Sequence, residues 1–212
     1  MTPVKEFKVF QKKFTWTRTR IINSFILTAF FICLIIWYFQ REKSSTQIFL
    51  LYFSFSLYFI GLGFKLFGFT KIKQLPGNLT GSLIFRKESI EINRTQIRLN
   101  DIKKIEIEGV DWYGLQTSNY LLGYSYENGL SSGTENFVHI DFHNHEKQTI
   151  QFQKIYASEF EEIRDVIKHY YVSGKMGYLN CLEILNPMTN EQKQELKNLK
   201  NTTANSKFVQ KW

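Results

Sequence analysis

Cysteine is nearly absent: the 212 residues hold only Cys33 and Cys181. That excludes a disulfide framework and the small stapled scaffolds that depend on one. A phosphate-cradling G-x-x-x-x-G-K-[ST] loop and a C-x-x-C pair are also missing. Nucleotide-loop and dithiol chemistry therefore have no starting point. The chain is expected not to be an enzyme and to use no cofactor or metal. Charge is missing too, but only locally: Ile21 to Gln40 contains none, and neither does Ser44 to Phe64. The chain as a whole carries a formal net charge of +8. Such an excess points to an anionic partner. With two uncharged runs present, lipid headgroups are favoured and nucleic acid is not expected.

The first run, IINSFILTAFFICLIIWYFQ, is dominated by Ile, Leu and Phe. A helix of ~20 residues rises roughly 30 Å, the thickness of a bilayer core. Its late start, its length and the second run soon after argue for retained spans rather than a signal peptide. The second run, with IFLLYFSFSLYFIGLGF at its centre, ends near Lys65. The link REKSSTQ fits a turn, so residues 21–69 are expected to form a transmembrane helical hairpin. A buried core helix is the competing reading. Lys5, Lys8, Lys12, Lys13, Arg18 and Arg20 precede the first span, and Lys71 and Lys73 follow the second. The positive-inside rule then puts both termini in the cytoplasm. A multi-pass protein of the plasma (inner) membrane is expected. These eight cations are the candidate contacts to anionic lipid.

Residues 1–20 form a basic arm. Val4, Phe7, Phe10 and Phe14 share a face at helical spacing, with lysines opposite. That is the pattern of an amphipathic helix on anionic lipid. A short strand or loop fits the same residues.

Beyond Pro76 the rhythm changes to period two, the signature of half-buried strands. Leu83 and Phe85, then Ile90 and Ile92, then Ile97 and Leu99, then Ile102, Ile105 and Ile107 mark successive strands. Turns are expected at Lys87–Glu88 and Arg94–Thr95. Connections this short permit only antiparallel pairing. A further strand is expected over Tyr120–Tyr126, with a turn at Glu127–Gly129. Val138, Ile140 and Phe142 then pair with Ile150 and Phe152. A closing helix follows, with Ser158 and Glu161 as a capping box and Phe160, Ile163, Val166, Ile167 and Tyr170 as its apolar stripe. Gly174 is its stop. Residues 175–212 read as an extension: a short helix in YLNCLEIL, a polar helix opening at Thr189 and Gln192 and ending near Lys200, and a disordered end.

The segments SLIFRKESIEINRTQIRLNDIKKIEIEG, FVHIDFHNHEKQTIQFQ and SEFEEIRDVIKHYY together resemble the bacterial pleckstrin-homology-like (PH-like) domains found behind paired membrane helices. The resemblance covers residues 79–172 and implies about seven antiparallel strands in a strongly bent sheet, or partly open barrel, with a C-terminal capping helix. The domain is taken as residues 78–174. The resemblance departs at two places. The first hairpin offers only Arg86 and Lys87 to a headgroup, beside Glu88. The closing helix has no tryptophan, a space that Tyr170 or Tyr171 would fill.

His139, Asp141, His143 and His145 share one parity but lie too far apart for one metal, so a wet strand face is the expected reading. Trp112, Tyr113, Tyr120, Tyr124 and Tyr126 form a candidate protein-partner surface, since interfaces favour Trp and Tyr. The functional expectation is a membrane-anchored interaction or scaffold module, contacting a protein partner or anionic lipid. A subunit of an oligomeric channel or transporter is the alternative.

Overall fold

A computed structural model describes residues 5–40, 45–116 and 125–209. In chain order the elements are β1 (Glu6–Lys12), α1 (Arg18–Gln40), α2 (Ser45–Phe67), β2 (Gly77–Arg86), β3 (Ser89–Ile92), β4 (Thr95–Arg98) and β5 (Ile102–Glu108). There follow β6 (Tyr113–Gln116), β7 (Leu130–Ser132), β8 (Asn136–Phe142), β9 (Lys147–Gln153), α3 (Arg164–Val172), α4 (Tyr178–Ile184) and α5 (Asn190–Val209). They divide into a sheet unit (residues up to 11, 78–113 and from 133 onward) and a helical unit (12–77 and 114–132).

The sheet unit is built on seven strands in the order β4-β3-β2-β1-β9-β8-β5. The alternation read from the sequence sets its register. Leu83 faces Ile92, Phe85 faces Ile90, Ile107 faces Val138 and Ile105 faces Ile140. Each of these except Ile92 is at most 2% exposed. The second turn sits one residue earlier than expected, at Asn93–Arg94, both with positive φ. That is the type I′ geometry that matches strand twist in a two-residue hairpin.

The basic arm supplies the central strand. β1 lies between β2 and β9, with Val9 opposite Phe152. Phe7 is 1% exposed, its ring 5.7 Å from Phe85 and 5.3 Å from Phe152. The strand reading of the arm is thus the one that describes it, and the helix on lipid is not formed. Phe7 and Val9 alternate with Glu6 and Lys8, and a run this short satisfies both periods. What decides is the partner: two flanking strands with unmet backbone groups.

The order of strands also fixes curvature. β4 and β5 lie at opposite edges, yet only Leu99–Asp101 join them. Six strand spacings in a flat sheet would separate those edges by roughly 29 Å. The four peptide steps from Arg98 to Ile102 reach at most about 15 Å. The sheet must therefore curl until its edges approach. The outer edge of β5 is covered rather than paired with β4. Ile105 N–H donates to Lys175 O (2.7 Å), and the Asn180 side chain both donates to Ile107 O (2.6 Å) and accepts from Ile107 N–H (2.9 Å). A covered edge cannot template pairing with another chain.

α3 closes the core with Ile167 and Tyr170, both fully buried. The Tyr170 hydroxyl donates to Arg86 O (2.7 Å) at the β2–β3 turn. Burial, which penalises the phenolate, holds its pKa far above the ordinary range. The expected capping box at Ser158 does not form. Residues 157–163 make a 3-10 turn with no side-chain cap. Glu159 instead accepts from Ile155 N–H (2.6 Å), and Glu161 pairs with Arg164. The later box does form: Thr189 N–H donates to Gln192 Oε1 (3.0 Å) and Gln192 N–H to Thr189 Oγ1 (3.3 Å). α4 buries Cys181 and Ile184 as the apolar run suggested. α5 runs on to Val209, beyond the end placed near Lys200.

In the helical unit, α1 and α2 contain stretches of 19 and 20 residues long and apolar enough to cross a membrane, each only 11% buried. A core helix of a water-soluble protein would be mostly buried. Here Phe30, Phe31, Phe49 and Phe59 are all more than half exposed. Burial is confined to a few positions, among them Ile22, Ala29 and, in the last turn of α2, Lys65. The hydroxyls of Ser54 and Ser56 donate to the carbonyls of Leu50 and Tyr52, both 2.9 Å, so they ask nothing of their surroundings.

Candidate functional site

The polar end of the hairpin is where charged, aromatic and backbone groups converge. Residues 125–130 fasten onto the start of α1 and the exit of α2. Tyr126 N–H donates to Thr19 Oγ1 (2.8 Å), and Thr19 N–H donates to Glu127 Oε1 (3.0 Å). Gly129 N–H donates to Gly68 O (2.9 Å), and Lys73 N–H to Leu130 O (2.7 Å). Asn128 Nδ2 donates to Ile72 O (2.6 Å), which leaves its oxygen to accept from Arg18 Nη1 at 3.1 Å. The Arg18 guanidinium also lies over the Phe64 ring, 5.6 Å from its centre. Gly61 permits the closest approach. A Cβ there would stand 2.6 Å from Tyr126 Cε1, so the ring rests directly on helix backbone.

Arg18, Phe64, Phe67, Gly68, Lys71 and Asn128 line a cleft of about 300 Å³. Among the described residues no carboxylate lies within ion-pair reach of Arg18 or Lys71. Exposed aromatics occupy the same end of the hairpin: Phe14 (74%), Trp16 (65%) and Phe67 (81%). Arg20 donates to Thr15 O (2.8 Å) and stacks over Phe14 at 4.8 Å. Aromatic rings beside cations are the composition of a membrane–water interface.

The other candidate lipid cations have different fates. Lys5 pairs with Glu159 (2.8 Å) and Glu162 (3.2 Å) within the sheet unit. Burial works to lower its pKa, but the hydrogen bonds and charges of the two glutamates outweigh it and hold it above the ordinary value. Lys8 and Lys12 are exposed on β1, Lys13 and Lys71 are exposed, and Lys73 is half-buried. Of the candidate partner surface, Tyr113 is 48% exposed and Trp112 half-buried, both in the sheet unit. Tyr126 is buried in the helical unit, and burial raises its pKa, with Tyr58 adding to the effect. Tyr120 and Tyr124, with most of the strand expected around them, lie outside the described residues.

Two features with catalytic spelling are resolved by their surroundings. His139 Nδ1 and Thr149 Oγ1 share a hydrogen bond (2.9 Å), and His139 Nε2 stands 3.5 Å from Glu108 Oε1. Among the described residues no three metal-ligating side chains converge. Gly129 to Gly133 reads GLSSG, the G-x-S-x-G of a nucleophile elbow. An elbow needs a strand-to-helix turn. Here the serines sit within β7, and the next element is another strand, β8. Gly133 is needed for a different reason: its φ is +71°, and a Cβ would come 2.1 Å from Lys154 O.

Sequence reasoning had no means to find Asn128 or Gly61, since each acts through a contact made across many residues. Compared with known proteins, the chain matches no family profile, no curated protein and no solved structure.

Proposed function

We propose that the chain is an integral membrane protein. Its α1–α2 hairpin anchors a PH-like domain at the cytoplasmic face of the plasma membrane, where the domain serves as a non-enzymatic interaction or scaffold module. The observation that carries this reading is the place of β1. The strand before the first span is a neighbour of β2, the strand after the second, in one sheet. If both helices cross the bilayer, the two ends of the hairpin must emerge on one side, because a sheet cannot pair across a membrane. The basic residues at those ends favour the cytoplasmic side. The curled seven-stranded sheet closed by α3 supports the PH-like reading. Confinement at the membrane would let weak contacts suffice by raising effective concentration.

The test is photocrosslinking in cells from Tyr113 and Val110, both largely exposed on the sheet unit, after confirming that alkaline carbonate does not extract the protein. A discrete, reproducible protein adduct is expected. Absence of any adduct, together with ion flux through liposomes holding the purified chain, would replace the module with a channel subunit.

A further inference from the structure

The cleft at the hairpin end has the chemistry of a phosphate seat. We infer that it holds the phosphodiester of one anionic phospholipid, gripped by Arg18 and Lys71, with the acyl chains against the apolar helices. This inference rests on the membrane reading above.

Four observations support it. Arg18 is held in place from two sides, by Asn128 Oδ1 and by the Phe64 ring. Asn128 is itself fixed by its bond to Ile72 O, so its oxygen can only present an acceptor to the arginine. The Asn128 contact is the single hydrogen bond of the guanidinium among the described residues, and most of the fork is left for a ligand. A fixed guanidinium presents paired donors that match phosphate oxygens. The second cation, Lys71, lines the same cleft as an exposed point charge. α2 ends at Phe67, and its carbonyl terminus contributes only about half a negative charge. Against that half charge and the Glu127 carboxylate, which is held by Thr19 N–H beside Arg18, two full cations leave the cleft with a small positive excess. The volume of about 300 Å³ admits a headgroup but not a folded polypeptide segment. The depth is right as well. Arg18 opens α1 and Phe67 closes α2, each at the limit of an apolar stretch. That is where lipid phosphates lie in a bilayer with a core of roughly 30 Å.

The experiment uses the full chain in nanodiscs of phosphatidylcholine containing a minority of phosphatidylglycerol, followed by native mass spectrometry on release into detergent. The wild type is expected to retain one phosphatidylglycerol in preference to phosphatidylcholine. Arg18→Gln and Lys71→Gln should each weaken retention roughly fivefold, the effect of one cation near an anionic surface. Arg18→Lys should recover only part, because it keeps the charge and loses the fork. Equal retention of the two lipids, or retention unchanged in Lys71→Gln, overturns the inference. Lys71 is exposed, so that variant decides the matter even if Arg18→Gln folds poorly. A separate arm titrates inorganic phosphate and glycerol 3-phosphate into protein in neutral detergent. Thermal stabilisation there without lipid preference would assign the cleft to a soluble phosphate and reject the lipid. Failure to enter nanodiscs at all would instead refute the membrane reading.

Discussion

Replacing Phe7 by Ala should unfasten the sheet from a residue that precedes α1 by eleven positions. Phe7 is 1% exposed and its ring meets Phe85, Phe152 and Phe160 with centroids 5.7, 5.3 and 5.6 Å away. Truncating a fully buried Phe to Ala costs about 3–5 kcal/mol, from lost transfer energy and the cavity left behind. At ~1.4 kcal/mol per decade, that is a drop of roughly two to three and a half orders of magnitude in the closed-to-open ratio. Hydrogen–deuterium exchange on the full chain in detergent reads this directly. Peptides covering Leu83–Ile92 and Ile150–Gln153 should lose protection, while those of α1 and α2 should not. Phe14→Ala is the control: its ring is 74% exposed, and surface changes rarely exceed about 0.5 kcal/mol. If Phe7→Ala and Phe14→Ala behave alike, the arm is not a central strand and the argument built on β1 fails.

Gly61→Val should push Tyr126 off α2, since even one Cβ stands 2.6 Å from the ring. Overpacking of this kind costs about 1–3 kcal/mol, and faster exchange at 125–130 would register it. The Lys5 pairs should make sheet stability fall at alkaline pH. The folded pKa lies above the ordinary value of 10.5, so the contribution is complete below that value and is lost as pH rises through the folded one. Denaturation of wild type and Lys5→Met across pH 9–12 should show the extra loss in the wild type alone. Cys181 should resist maleimide at pH 8 until the protein unfolds. Burial pushes its thiol up to about 11, which leaves ~0.1% thiolate there. Rapid labelling of the native protein at Cys181 would contradict the packing of α4.

Much of the fold was legible because its elements are local. Period two across 83–107 and 138–152 has one solution once a face must be buried, and the helical runs announce themselves by length. Thr189 and Gln192 cap each other within one turn, so that box could be read; Ser158 could not, because residues 157–163 wind as a 3-10 turn with Phe160 and Ile163 buried and that cap goes unused. β1 was ambiguous for a deeper reason. Its seven residues fit two periods, and its partners lie about 70 and 145 residues away along the chain. The candidate cleft was half legible. Arg18 and Lys71 stood out as flanking charges, but the asparagine that orients Arg18 is 110 residues distant, and no pattern in sequence encodes such a contact. Lys5 shows the converse: it reads as a lipid cation and is spent on Glu159 and Glu162.

The central claim is that both ends of a two-pass hairpin serve one cytoplasmic sheet. Single cysteines placed at Lys8, at Ser44 in the link and at Asn144 in the β8–β9 turn, in a chain with Cys33 and Cys181 replaced, test it with a membrane-impermeant maleimide. The account predicts that Lys8→Cys and Asn144→Cys react only in inverted vesicles and Ser44→Cys only in intact cells. Labelling of Lys8→Cys and Asn144→Cys from opposite sides would contradict it.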